Sequence, residues 1–305
     1  MGITLQNRRI SQKYISTPAK SLIVRASGGD YIITTGSYKL HIFTTSGKFK
    51  IDYLNADYAT QPFYYGLVGG GAGGVNGSPG NMNGNGGDGG NAGPGGTSIS
   101  SNITQISTAA LEGEYTVLVG AGGAINSDGA SSSFKSTTST LRSANGGTGN
   151  TGYGIGGTYD GDPDSNGQDG SWAGTPTPTE IPFISYALVR FGVGAPGLKY
   201  GYGGVGGGGG GGGAPTTGQA GGGAGNFQID GVSTYGGNGG DGGIVGKNYG
   251  DNGTNASGNG PANTGFGGSG GGGGGGSINS NIWGNGGNGS TGGSGIVAFY
   301  YRFEA

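Results

Sequence analysis

The sequence predicts an all-β protein whose strands are joined by a bundle of polyglycine-II-type helices, with little or no α-helix. Three observations carry this expectation. Of 305 residues, 85 are glycine; glycine recurs at a spacing of three in several separate tracts; and the text between the tracts reads as β-strand. No stretch keeps a helical period, Asn102 to Leu111 being a weak candidate for one short helix.

The strand text begins at Tyr31. Tyr31 to Gly36 (YIITTG) and Ser37 to Leu54 are rich in Thr, Ile, Tyr and Phe with near-alternation, which predicts two or three strands with a hairpin turn at Ser46-Gly47. Further strands are expected at Glu114 to Val119, Ile184 to Phe191 and Ile296 to Phe303.

Between the strands, glycine falls at 71, 74, 77 and 80; at 84, 87, 90, 93 and 96; at 146, 149 and 152; at 237, 240, 243 and 246; and at 286, 289, 292 and 295. Three residues per turn is the repeat of a left-handed polyproline-II-type helix, which makes no internal hydrogen bonds. Where one or two of its edges carry only glycine, neighbouring helices approach until their N–H and C=O groups pair. Asn, Asp, Ser and Pro between the glycines then mark outward edges. Fixing a glycine in regular structure costs roughly 0.5–1 kcal/mol more than fixing an alanine, and hydrophobic residues make up only 31% of the chain. Backbone hydrogen bonds, at about 0.5–1.5 kcal/mol net each, are the group numerous enough to offset that cost.

Charge divides the chain unevenly. Net charge is −2, yet residues 1–50 hold Arg8, Arg9, Lys13, Lys20, Arg25, Lys39, Lys48 and Lys50 against Asp30 alone. Residues 1–30 therefore read as a basic N-terminal arm and residues 31–305 as the glycine-rich domain. The arm suits docking on an acidic protein surface or remains a solvated tail; its basic residues form no dense patch beside a nucleic-acid module, so nucleic acid is not an expected partner. No apolar run approaches the ~18 residues of a membrane span, and Met1 to Gln12 lacks a signal-peptide apolar region, so membrane insertion is not expected. The absence of cysteine excludes disulfides and thiolate chemistry.

Catalytic motifs are weak. The single histidine, His41, lies in strand text and reads as a packed or edge side chain; Glu112 and Glu114 flank Gly113 in an apparent turn; and Asp241 to Asn248 lacks the leading Gly and the Ser or Thr of a phosphate loop. No enzyme activity and no cofactor are expected. Asp162, Asp164 and Asn166 begin an Asp-x-Asp-x-Asn-Gly run like the opening of a calcium loop, but Ala173 stands where the bidentate Glu belongs. A calcium site and a solvated acidic loop both remain open there. Tyr153, Tyr159, Trp172, Tyr200, Tyr202 and Trp283 fall in loops between tracts, where they either contact a protein or sugar partner or cover the bundle.

Four segments in order resemble the glycine-rich domain of bacteriophage tail-fibre and other virion proteins: Ser37 to Ile51, Tyr65 to Gly71, Glu114 to Gly123 with Ser131 to Phe134, and Gly292 to Val297. The resemblance covers residues 31–305. It implies a β-sandwich, TNF- or jelly-roll-like, whose strand connections are the polyglycine helices. Residues 171–202 are an insertion relative to that pattern. By the same resemblance the chain is a virion protein of the tail fibre or tip that recognises a host cell-surface protein or glycan. Arg8, Arg9 and Lys13 would then attach it to other virion proteins, and a homotrimer follows by analogy with fibres. A decoration or adaptor protein on the capsid or tail is the alternative.

Overall fold

The computed structural model describes residues 23–55, 63–81, 90, 93, 96, 98–102, 113–136, 140–148, 179–180, 199–200, 226–229, 232–235, 243, 251–257, 259–260, 262–265, 267–275 and 282–304. Among them the strands are β1 (Val24–Ser27), β2 (Tyr31–Thr35), β3 (Tyr38–Phe43), β4 (Gly47–Leu54), β5 (Phe63–Val68), β6 (Ser98–Asn102), β7 (Gly113–Leu118), β8 (Ser132–Lys135), β9 (Thr140–Ala144), β10 (Thr179–Glu180), β11 (Lys199–Tyr200), β12 (Asn226–Ile229), β13 (Val232–Tyr235) and β14 (Ile296–Arg302). The fold is all-β, and no α-helix occurs among the described residues. Two five-stranded antiparallel sheets, ordered β2-β3-β14-β5-β6 and β1-β4-β7-β8-β9, are accompanied by the pairs β10-β11 and β12-β13.

Strand alternation builds the core. In β4, Phe49 and Ile51 point inward while Lys48, Lys50 and Asp52 point out; in β14, Val297, Phe299 and Tyr301 point inward. These residues meet Phe43, Phe63, Tyr65 and Leu67 of the first sheet and Val24, Tyr115, Val117 and Phe134 of the second in one buried cluster, so the two sheets form a sandwich. Phe49 stacks on Phe299 across the two sheets at 4.3 Å between ring centroids. The sandwich begins earlier than the strand text did: Ile23 and Val24 are buried, and β1 pairs with β4. The four-residue run Val24 to Ser27 is too brief to show alternation, so strand text is visible only from Tyr31.

The turns differ from expectation at one corner. The first hairpin turns at Gly36-Ser37, where Gly36 has φ +60° and Thr35 pairs with Tyr38. Ser46-Gly47 makes no hairpin, because β3 already lies between β2 and β14, and β4 between β1 and β7. The chain instead crosses from one sheet to the other, sending Phe43 and Phe49 into the same core, where they meet edge to face. Asp30 holds this corner by accepting hydrogen bonds from the backbone N–H and hydroxyl groups of Thr44 and Thr45. Partial burial opposes ionisation of Asp30, but those bonds outweigh it and hold the carboxyl below its ordinary value. Glu114 lies in β7, in line with the strand expected from Glu114 to Val119 and not with a turn around Gly113, and pairs with the exposed Lys48.

Glycine segments leave the sandwich at β5, β7 and β14 and associate side by side. In the segment 70–80, which continues β5, the N–H groups of Gly71, Gly74, Gly77 and Gly80 donate to the carbonyls of Gly293, Ser290, Gly287 and Gly284. The carbonyls of Ala72, Val75 and Ser78 accept from Gly268, Gly271 and Gly274, and the N–H groups of Gly70 and Gly73 donate to Ala130 and Ser127. All three edges of this segment are therefore engaged, each at a period of three, and it sits inside the bundle. A β-carbon at Gly74 or Gly271 would overlap the carbonyl oxygen of Ser269 or Gly287. The hydrogen standing in its place points at that oxygen, the arrangement of a Cα–H···O contact.

Asparagine completes the outer edges. Asn252 Oδ1 accepts from the Asn285 N–H at 2.7 Å, Asn255 Oδ1 from Asn288 at 2.8 Å and Asn259 Oδ1 from Thr291 at 3.2 Å. The side-chain amide thus stands where a further helix would have supplied a carbonyl.

His41 is wholly buried between the sheets. Its Nδ1 lies 2.6 Å from the Gly28 carbonyl, which can only accept, so Nδ1 carries the proton and Nε2 accepts from the Tyr301 hydroxyl at 2.8 Å. Burial lowers its pKa, the Gly28 bond opposes that shift and the charge of Lys39 adds to it. The folded pKa lies below the unfolded one, so near neutral pH both states are uncharged and stability is complete. As pH falls below about 6.5 the unfolded chain takes up a proton that the folded chain refuses, and stability drops by at most about 1.4 kcal/mol per pH unit. His41→Gln should flatten this slope between pH 7 and 5 in denaturant unfolding, while the separate loss from Asp30 begins only near its ordinary value of 3.8 and below.

Replacing interior glycines tests the packing. Gly74→Ala and Gly271→Ala should each lower stability by about 1–3 kcal/mol through overpacking. Asn252→Ala, at a solvent-exposed edge, should cost no more than about 1 kcal/mol because water can replace its bond. Equal losses at the inner and outer positions in thermal unfolding would contradict the close-approach explanation.

Candidate recognition surface

The bundle carries its far end well away from the sandwich. The rungs from Gly71–Gly293 to Gly80–Gly284 span nine residues, about 28 Å at 3.1 Å per residue. The chain returns along 284–295 directly into β14, beginning at Ile296.

At this tip lie two adjacent large apolar residues, Ile282 at 64% and Trp283 at 38% exposure. They immediately precede Gly284, whose place is crowded because a β-carbon there would meet the Asp251 carbonyl. Gly284 donates its N–H to Gly275 and accepts from Gly80, so the chain leaving the apolar pair is held on two sides. Exposed Asp251, Asn252, Asn285 and Asn81 surround the same end of the bundle. An aromatic and an aliphatic side chain beside several amides suit a flat apolar surface rimmed by hydrogen-bonding groups, such as a sugar face or a protein patch.

Of the site residues expected from sequence, Trp283 is the one whose side chain the structure describes. Tyr200 lies in β11, where its backbone pairs with Thr179 of β10 inside the 171–202 insertion. Tyr153, Tyr159, Trp172 and Tyr202, the acidic run Asp162, Asp164 and Asn166, the arm residues Arg8, Arg9 and Lys13, and the strand text Ile184 to Phe191 lie outside the described residues. Among the described residues no three His, Asp or Glu side chains come together as metal ligands. Ile282 belongs to no motif in the sequence; its signal there is the apolar Ile-Trp pair between Ser277-Ile278-Asn279-Ser280-Asn281 and a Gly-Asn run.

Strands running directly into period-three glycine segments and back define the architecture, and a family model described as the glycine-rich domain matches residues 44–302. The chain belongs to this glycine-rich domain family. No curated protein matches it. The part of the glycine-rich domain that the family covers runs from the Thr44 corner to Arg302 at the end of β14, and β1, β2 and β3 precede it.

Because Trp283 lies outside the described core clusters yet keeps only 38% of its surface exposed, Trp283→Ala should cost about 1–2 kcal/mol of stability through lost packing at the tip. Thermal unfolding checks this, and a larger loss would show that the indole holds the bundle together.

Proposed function

We propose that this glycine-rich domain is a non-enzymatic virion protein of a phage tail fibre or tail tip, which presents loops at the end of its bundle to a host cell-surface protein or glycan. The observation that carries this reading is the exposed Ile282–Trp283 pair held about 28 Å beyond the first rung of a hydrogen-bonded bundle. A rigid scaffold lets tip residues vary while the backbone bonds beneath them persist. It also lowers the ordering cost of binding, because the tip is held before contact. In this reading the arm bearing Arg8, Arg9 and Lys13 attaches the domain to other virion proteins, and Tyr153, Tyr159, Trp172, Tyr200 and Tyr202 would add aromatic contacts to the partner, Tyr200 from strand β11 rather than from a loop. The chemistry is adhesion, with no cofactor taking part; calcium bound by Asp162, Asp164 and Asn166 would serve only to stiffen their loop.

A second reading, a decoration or adaptor protein on the capsid or tail, is favoured by another surface. The outward side of the first sheet carries Tyr38 stacked on Tyr300 at 5.1 Å, with Tyr64 beside it and Tyr31 exposed at the margin. Leu40, Ile42, Val68, Ile296 and Ala298 on the same side are already buried, so it is this tyrosine margin that would meet a neighbouring subunit.

Purified protein should bind host cells and compete with particle adsorption, and Trp283→Ala should reduce that competition at least tenfold without loss of folding. Absence of both binding and competition would remove the adhesin reading. Removal of residues 1–22, which spares β1, should abolish incorporation into particles while leaving the free domain's cell binding intact; a domain incorporated without its arm docks by another surface.

A further inference from the structure

The outer strands of the two sheets are β2, β6, β1 and β9, and an outer strand offers one row of backbone N–H and C=O groups to any chain that can pair with it. Three of these strands are guarded. β1 carries Arg25 and its register with β4 shifts between Arg25 and Ala26. β9 carries Arg142 and pairs with β8 across a register shift. β6 lies beside β10. In contrast, β2 reads Tyr-Ile-Ile-Thr-Thr, without charge or proline, and its register with β3 is unbroken from Tyr31 to Thr35. Both sides of its margin are open, with Tyr31 at 40% and Ile32 at 53% exposure.

The hairpin geometry fixes which groups point outward. A two-residue turn makes Thr35↔Tyr38 a hydrogen-bonded pair, and such pairs alternate along the strand. Ile33 and Tyr31 therefore bond inward to Leu40 and Ile42, and the N–H and C=O groups of Ile32 and Thr34 face away from the sheet. These two residues lie symmetrically about Ile33. An antiparallel copy of the same strand, related by a two-fold axis through Ile33, sets Ile32 opposite Thr34 of the second copy and Thr34 opposite Ile32 of the second copy. Each of these is a hydrogen-bonded pair exchanging two bonds. Ile33 faces its own equivalent, Tyr31 faces Thr35, and no like charges meet. A parallel or heterologous contact uses none of this symmetry.

We propose that two copies of this chain associate through β2, joining their first sheets into one continuous sheet across a two-fold axis centred on Ile33. The pairing also extends the outward face that bears Tyr31, Ile33, Tyr38 and Tyr300 across both copies. The proposal does not depend on what the tip recognises, and it sets a two-fold pair in place of the homotrimer that the fibre resemblance implies.

Sedimentation equilibrium of the full chain should give twice the 29.5 kDa monomer mass. Ile32→Lys should halve it by placing a charge at the seam. Thr34→Pro should halve it by deleting an outward N–H, and it leaves the bonds to β3 in place because that N–H does not join them. Thermal unfolding confirms that both variants are folded. The chain has no cysteine, so Ile33→Cys supplies a single thiol; in a non-hydrogen-bonded pair the two Cα atoms approach to about 4.5 Å, within disulfide reach. Mild oxidation should cross-link Ile33→Cys into a dimer and leave Ser27→Cys on β1 monomeric. A monomer at every concentration, a threefold mass, a dimer that survives both seam variants, or failure of Ile33→Cys to cross-link would each overturn the proposal.

Discussion

Backbone N–H groups donating, at every third residue, to carbonyls of a neighbouring glycine segment are the interaction on which the rest of this structure depends. A polyproline-II-type helix has no internal hydrogen bonds, so its stability comes from its neighbours or from water. The segment 70–80 shows what neighbours can provide: it donates along one edge to 284–293, along another to 127–130, and accepts along the third from 268–274. Bonds of this kind become short only when the chains approach closely, and the carbonyl positions leave no room for a β-carbon at residues such as Gly74 and Gly271. Glycine is required there by space and hydrogen bonding together.

The sandwich supplies what the bundle lacks. Polyglycine carries almost no apolar side chain to bury, whereas the aromatic core of Phe43, Phe49, Phe63, Phe134, Phe299 and Tyr301 removes large side chains from water. The two parts are joined where strands continue as glycine segments, and Ser132 marks the joint. Its hydroxyl accepts from the Gly120 N–H at 2.8 Å and donates to the Val68 carbonyl at 2.5 Å, tying the end of β5 to the end of β7. Gly295 donates to the Gly120 carbonyl at the same level, just before β14 begins. Three segments therefore start in register from three strands whose spacing the sheets have already set. This is how a chain poor in side-chain contacts can hold Trp283 far from its hydrophobic core.

Much of the fold was legible, and the misses have a common cause. Glycine at 71, 74, 77 and 80 announced the period, and Phe-Lys-Ile-Asp-Tyr in β4 announced a half-buried strand. Asparagine was legible as an outer-edge residue, though not as the acceptor of a neighbour's N–H. The segment Asp251 to Gly260, by contrast, has no strict glycine period, yet Gly253, Ala256 and Gly260 donate to 285, 288 and 291. Rows that face solvent accept any side chain, so the period shows only where a segment is enclosed. Ser46-Gly47 has the sequence of a hairpin turn but joins two sheets, because a turn's sequence does not record whether the strands beside it already have other partners. Ile282 and Trp283 could be seen as apolar residues in polar text, but their place at the tip follows from the pairing of Gly80 with Gly284.

By itself the sequence determined the kinds of element: strands from alternation, glycine helices from the spacing of three, and an all-β chain from the want of a helical period. Those properties are local, set by each residue's neighbours a few positions away. Only the tertiary structure decided which segments lie together, that β3 and β4 belong to opposite sheets, that His41 is sealed between them with Gly28 and Tyr301 as partners, and that β2 is an outer strand among the described residues. These depend on contacts between residues far apart in the chain. Glycine segments that look alike in sequence become distinct only when each is anchored to a particular strand.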